Sequence, residues 1–282
     1  MFKNNGGIIK IHIAVLLFGL AGLFGKLISQ SAMVIVFGRV LFAALFLFFY
    51  LKATHQTLLL KDKKDYFFLI CLGALLTIHW ISYFKSIQLS TVALGLLTFS
   101  TFPVFVTFLE PCFFKTKITL RDIIISLITF IGVALVIPKF QFNNNMTQGA
   151  LWGILSGFTF AILSILNKKH TQKYSGLIIT FYETSVSTVL LIPFMFIIKP
   201  VFSPNDILLL IILGVIFTGI SHSLFVSGMS MVKAQTASII ATLEPVYGII
   251  STAVLFGEIP SPKIILGGLI ILGTSLYSSI KS

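Results

Sequence analysis

Apolar runs recur along the whole 282-residue chain, each long enough to cross a lipid layer and each closed by charge, Gly, Pro or Asn. The spacing predicts ten helices, at about 8–28, 34–51, 66–86, 91–114, 121–137, 148–166, 177–198, 206–230, 234–257 and 263–280. A crossing takes about 20 residues, so ten use about 200 and leave about 7 for each connection. That is too little chain for a soluble domain, an extramembrane catalytic module or a nucleic-acid reader. With 57% hydrophobic and 10% charged residues, the expected fold is all-α and integral to the membrane. Lys3 and Lys10 before Ile11 to Phe24 imitate a secretory signal, but no small-residue cleavage pair follows, so the first helix is expected to be retained. Cys71 and Cys112 fall inside apolar segments without metal or disulfide spacing and read as small core residues.

The excess of 20 Lys and Arg over 8 Asp and Glu is an orientation signal here rather than a nucleic-acid footprint. With the amino terminus in the cytoplasm, 14 of the 20 fall inside, among them Lys61, Lys63, Lys64, Lys168, Lys169 and Lys173. Four fall outside: Lys85, Lys139, Lys199 and Lys263. Both termini are therefore expected in the cytoplasm.

The chain also repeats itself at about half its length. Asp65 pairs with Asp206, Gly73 with Gly214, Thr77 with Thr218, Phe84 with Phe225 and Gly132 with Gly273, all 141 apart. Pro103 and Pro245 are 142 apart, and Phe37-Gly38-Arg39 matches Phe181-Tyr182-Glu183 at 144. Five helices is an odd number, so the second half, 141–282, is expected to enter the membrane inverted relative to the first, 1–140. Inverted repeats are a common construction of secondary transporters, in which two halves open a midplane site alternately to either side.

These ten helices, the repeat, Glu244-Pro245-Val246, Gly257-Glu258 and the Gly267-Gly268-to-Gly273 helix resemble the EamA branch of the drug/metabolite transporter superfamily over nearly the whole chain. The first half departs from the pattern, with Lys115-Thr116-Lys117 where a Gly-Glu is usual. The resemblance implies a multi-pass carrier of the bacterial inner membrane, usually an exporter of amino acids, metabolites or drugs, with a cavity lined by helices 1, 3, 4, 6, 8 and 9.

Glu244 falls about ten residues into the ninth predicted helix, roughly 15 Å deep, where an ionised carboxylate must find a partner or take a proton. That makes it the coupling candidate. Pro245 beside it, and Pro103 in the first half, read as helix kinks that free carbonyls toward a cavity. His79, Trp80 and Tyr83 on helix three, Ser221 and His222 on helix eight, and Tyr247 complete the candidate cavity lining, the aromatic faces suiting an organic cation or aromatic solute. Inversion places His79 and His222 on opposite sides of the midplane. Arg39 and Glu183 read as structural; an arginine about 9 Å below the surface needs a buried partner or exposure to a cavity. Lys26 reads as snorkelling to water, and Glu258 as a helix-end structural residue.

No phosphate-cradling loop of an ATP-driven pump, no G-x-S-x-G and no H-E-x-x-H occurs, and the expectation is a transporter rather than an enzyme. The substrate expected is a small organic molecule, moved by alternating access, outward, with protons as a coupling ion. Lipid is an expected partner and a homodimer stays open. No metal, cofactor or nucleic acid is expected. The alternatives are an importer or exchanger of the same fold and a scaffold that transports nothing.

Overall fold

The computed structural model describes residues 2–113, 118–137, 141–232, 237 and 240–281, and no strand occurs among them. Lys115, Lys117, Lys139, Lys233 and Ala234 lie outside the described residues. The first half comprises α1 (Phe2–Ala21), α2 (Phe24–Leu27), α3 (Ala32–Ala53), α4 (Lys63–Leu89), α5 (Val92–Phe99), α6 (Phe102–Phe113) and α7 (Leu120–Val136). The second comprises α8 (Asn145–His170), α9 (Gly176–Ile198), α10 (Pro204–Gly214), a π-helical stretch at Val215–Ile220, α11 (Ser221–Met229), α12 (Glu244–Phe256) and α13 (Pro262–Lys281).

Among the described residues, seven helical spans are long and apolar enough to cross a membrane: Gly6–Leu27, Ala32–Ala53, Lys63–Leu89, Val92–Phe113, Asn145–His170, Gly176–Ile198 and Pro204–Met229. Leu120–Val136 has 17 residues, and Glu244–Phe256 and Pro262–Tyr277 are also shorter apolar helices. Large apolar side chains face outward all round, among them Phe196, Ile197, Leu127, Leu269 and Val254. Many hydroxyl side chains are turned inward, where neighbouring helices can satisfy them. Ser86, Thr98, Ser100, Thr101, Ser156, Thr184 and Ser187 are fully buried. Several of these hydroxyls donate back to a carbonyl one turn earlier, as Thr98 does to Leu94 (2.7 Å) and Thr184 to Thr180 (2.7 Å). Cys71 and Cys112 correct the sequence reading: both are exposed, on outward-facing positions where a small apolar thiol is as well placed as in a core.

Helix pairs follow the repeat. The α4 helix packs on α8, and α1 packs on α11; α3 lies on α9, and α7 on α13.

Two of the helices expected to be continuous are broken. The fourth predicted helix divides at Ser100–Thr101, where Ser100 Oγ donates to Leu96 O (2.9 Å) and Thr101 Oγ1 to Thr98 O (2.8 Å). Around the ninth, Ile240 and Ala241 are helical, Thr242–Leu243 is a turn, and α12 starts at Glu244. The prolines stand just beyond the breaks, Pro103 second in α6 and Pro245 second in α12. In a first helical turn the missing N–H costs nothing, so these prolines start helices rather than bend them. Glycine permits the close packing of each break. A Cβ on Gly19 of α1 would stand 2.7 Å from Glu244 O, and one on Gly157 of α8 would stand 2.7 Å from Phe99 O.

Candidate functional site

Both breaks open onto a small interior void lined by Phe18 and Ala21 of α1, Arg39 of α3, His79, Trp80 and Tyr83 of α4, Phe99 at the end of α5, Phe160 of α8, His222 of α11 and Glu244 of α12. Its volume of about 30 Å³ has room for a couple of waters and for no organic solute.

Glu244 is 4% exposed and sits in the first turn of α12, where the amide dipoles favour a carboxylate. Tyr83 Oη donates to its Oε1 at 3.3 Å. Arg39, 2% exposed, lines the same void and has no carboxylate within 4 Å among the described residues. Its guanidinium carbon lies 3.9 Å from the centre of the Trp80 ring and 5.3 Å from that of Phe84. Its Nε donates to Thr218 Oγ1 (2.9 Å) and its Nη2 to Phe217 O (3.4 Å). Both acceptors belong to the π-helical stretch, where the widened turn lets Thr218 Oγ1 donate five residues back to Leu213 O (2.8 Å). The cation is thus held by π-faces and neutral oxygens.

His79 Nδ1 lies 3.0 Å from Ser156 O and 2.9 Å from Ser156 Oγ, and its ring packs against Phe160 (5.0 Å between centroids) and Phe99 (5.6 Å). His222 meets Trp80 edge to face at 5.5 Å, and its Nε2 lies 2.9 Å from Oε2 of Glu183, a side chain with no exposure. Glu183 Oε1, Ser221 Oγ and Ser223 Oγ are buried without a hydrogen-bond partner.

The structure therefore gathers His79, Trp80, Tyr83, His222 and Glu244 around one void. Ser221 and Tyr247 are not among its lining residues; Tyr247 packs beside Gly19 instead. The two histidines come within reach of the same Trp80 ring. Arg39 was legible as an arginine inside an apolar run, but its place on the void follows from the π-helix, which no residue pattern announces. Phe18, Phe99 and Phe160 are three of 29 phenylalanines, and composition alone gives no means of choosing them. Lys26 does not simply reach water: it forms an ion pair with Glu258, tying α2 to the loop after α12.

Apolar helices broken at mid-span around a buried polar and aromatic void define a membrane transporter. The chain belongs to the EamA-like transporter family, whose profile matches it twice, at residues 5–137 and 147–280. It is 28% identical over 264 residues to an uncharacterized transporter of Bacillus subtilis, covering 92% of this chain and 84% of that one. An uncharacterized transporter of Archaeoglobus fulgidus is 30% identical over 197 residues, 70% of each chain. A protein of Rickettsia conorii named as an S-adenosylmethionine uptake transporter is 26% identical over 207 residues, 73% of this chain and 69% of that one. A solved crystal structure superposes with a TM-score of 0.69 over 95% of this chain and 94% of its own, at 14% identity, a likeness of fold alone.

Proposed function

We propose that this transporter carries a small organic solute by alternating access through the void between Arg39 and Glu244. The chain crosses the membrane ten times as two inverted five-helix halves, 1–140 and 141–282, with both termini in the cytoplasm. The single observation that carries this reading is the void itself: a cation and a carboxylate, each buried among aromatic rings and not paired with each other, border a small interior space reached by both helix breaks. An isolated buried ion is costly, and one kept in a membrane interior is kept for a ligand or a coupling ion. A solute with a positive group for Glu244, a negative one for Arg39 and a flat or apolar body for Trp80, Tyr83 and Phe160 fits that lining. Export is the first reading, with Glu244 exchanging its proton for the solute. Uptake is the second, and the Rickettsia relative's name favours it: S-adenosylmethionine carries a sulfonium, an amino-acid group and an aromatic base.

The test compares bacteria expressing the wild type and Glu244→Gln at matched levels, by untargeted mass spectrometry of cells and medium and by uptake of radiolabelled S-adenosylmethionine. A solute enriched in the medium with the wild type alone supports export, and label accumulating in cells supports uptake. Glu244→Gln is expected to insert normally and to lose uphill movement while retaining exchange. Uphill movement equal to wild type removes Glu244 from coupling.

A further inference from the structure

Asp65 and Asp206 are equivalent residues of the two halves, and each is the third residue of a helix that follows a polar loop. Both are buried, at 8% and 6% exposure. Each is also held by the first interhelical loop of the opposite half. Asp206 accepts the N–H of Ser29 at Oδ1 (3.3 Å) and, at 3.5 Å, the Gln30 side-chain amide at Oδ2; that amide also donates to Val201 O (2.7 Å). Asp65 forms an ion pair with Lys173 and accepts the Tyr174 hydroxyl, while Lys173 also bridges to Asp62. The Tyr174 oxygen in turn accepts the N–H of Lys61 (3.0 Å).

The donors are equivalent as well as the acceptors. Ser29 and Lys173 are 144 apart, as are Gln30 and Tyr174, the same offset that relates Phe37-Gly38-Arg39 to Phe181-Tyr182-Glu183. The next residue in each case, Ser31 or Ser175, is the N-cap of the following helix. The result is a pair of swapped contacts, loop 28–31 on the start of α10 and loop 171–175 on the start of α4. By helical rise the first lies roughly 12 Å from Arg39, and the second roughly 21 Å from His79, so the void sits between them. Both contacts are made in a conformation whose void is too small to hold an organic solute.

Their chemistry differs. The contact at Asp206 uses neutral donors, and Asp206 also caps its own helix through Ser203 N (3.1 Å) and Ser203 Oγ (2.9 Å), so undocking leaves it partnered. The contact at Asp65 is ionic. Hydrogen bonds that the Lys173 ammonium donates to Asp62 and Asp65 hold it above its ordinary range, so it stays charged at any physiological pH.

We infer that Asp65 and Asp206 are the gate residues of this carrier: each receives the opposite half's first loop, and release of one at a time opens the void to one face. This rests on the alternating-access reading. Under the expected orientation Asp206 closes the outer face and Asp65 the inner.

The test needs no substrate. In a Cys71→Ala, Cys112→Ala background, Ala21→Cys places a small reporter thiol on the void, and a membrane-impermeant maleimide is applied to intact cells and to inside-out vesicles. Asp206→Asn is expected to raise labelling from the cell exterior several-fold and lower it from the vesicles. Asp65→Asn and Lys173→Met are expected to do the reverse, while Lys173→Arg keeps the parent ratio. Misfolding cannot produce opposite shifts, because a collapsed protein labels from both sides. Shifts in one direction for both aspartates, or an unchanged ratio in a protein that does label, overturn the gates and leave alternating access standing. A thiol silent from both faces in every variant overturns both.

Discussion

The break at Ser100–Thr101 in the first half and the break at Thr242–Leu243 in the second are built alike, each followed by a proline at the second helical position and each seated on a glycine of the other half's first helix. The side chains beside them are not alike. Phe102 stands 142 residues before Glu244, Trp80 stands 141 before Ser221, and Arg39 stands 144 before Glu183. The first half thus gives the void its cation and most of its aromatic surface, and the second gives it the carboxylate and His222, backed by Glu183. Backbone devices have been retained in both copies because both need them to pack. The unlike lining suits the solute with unlike ends proposed above, whose two ends would need unlike walls that identical halves cannot supply.

The shared part of this comparison is the most sensitive to mutation. Gly19→Val and Gly157→Val each push a side chain against a backbone carbonyl that a break fixes in place, at 2.7 Å already for the Cβ. Each is expected to remove the folded protein, seen as loss of the monodisperse peak in detergent gel filtration. If one valine is tolerated and the other is not, the two breaks are not seated equivalently.

The divergent part should respond in activity before stability. Arg39→Lys keeps the charge but loses the flat group stacked on Trp80 and the fork that reaches Thr218 and Phe217. It is expected to lower transport of the solute found by metabolite comparison about as far as Arg39→Met does, tenfold or more, since 1.4 kcal/mol of lost binding already gives about that factor. A double-mutant cycle of Arg39→Met with Trp80→Leu should give a coupling of about 1–2 kcal/mol in thermal denaturation; no coupling would mean that the ring is only a neighbour. Glu183→Ala leaves His222 Nε2 without its carboxylate and is expected to cost about 1–3 kcal/mol, with transport falling less than for Arg39. An equal fall in transport would place the Glu183–His222 pair in the solute's path and blur the division of labour between the halves.

Much of this was legible in the residues because membrane helices advertise themselves. The predicted 34–51, 121–137 and 177–198 lie within a few residues of Ala32–Ala53, Leu120–Val136 and Gly176–Ile198, since charge, Pro and Asn mark where hydrocarbon ends. What was hidden is whatever depends on how helices face one another. Pro103 and Pro245 signal irregular backbone but not whether a helix bends or restarts, because a proline fits both a kink and a first turn. The π-helix at Val215–Ile220 has no residue signature, yet it supplies both hydrogen-bond acceptors of Arg39 described above. Cys71 and Cys112 look like core residues in a membrane chain because both the lipid face and the protein face accept a small apolar group. Glu183 and His222 are 39 residues apart on helices whose contact cannot be inferred from either alone.

The smallest effect tests a direct bond between two void-lining residues of opposite halves. Tyr83 of the first half donates to Glu244 of the second at 3.3 Å, long for a hydroxyl on a carboxylate and so a weak bond in the closed state. Tyr83→Phe removes only the oxygen and leaves the ring packed on Phe99 and Phe84. It is expected to cost about 0.5–1 kcal/mol in thermal denaturation, with insertion unchanged. If the bond belongs to the closed void, a solute bound to Glu244 replaces it, and the variant should bind solute no less tightly while the empty carrier opens more readily. The maleimide labelling of Ala21→Cys would then rise from both faces together by less than either gate variant achieves. Weaker solute binding with unchanged labelling would instead make Tyr83 part of the recognition surface, with its hydroxyl contacting the solute rather than closing the space.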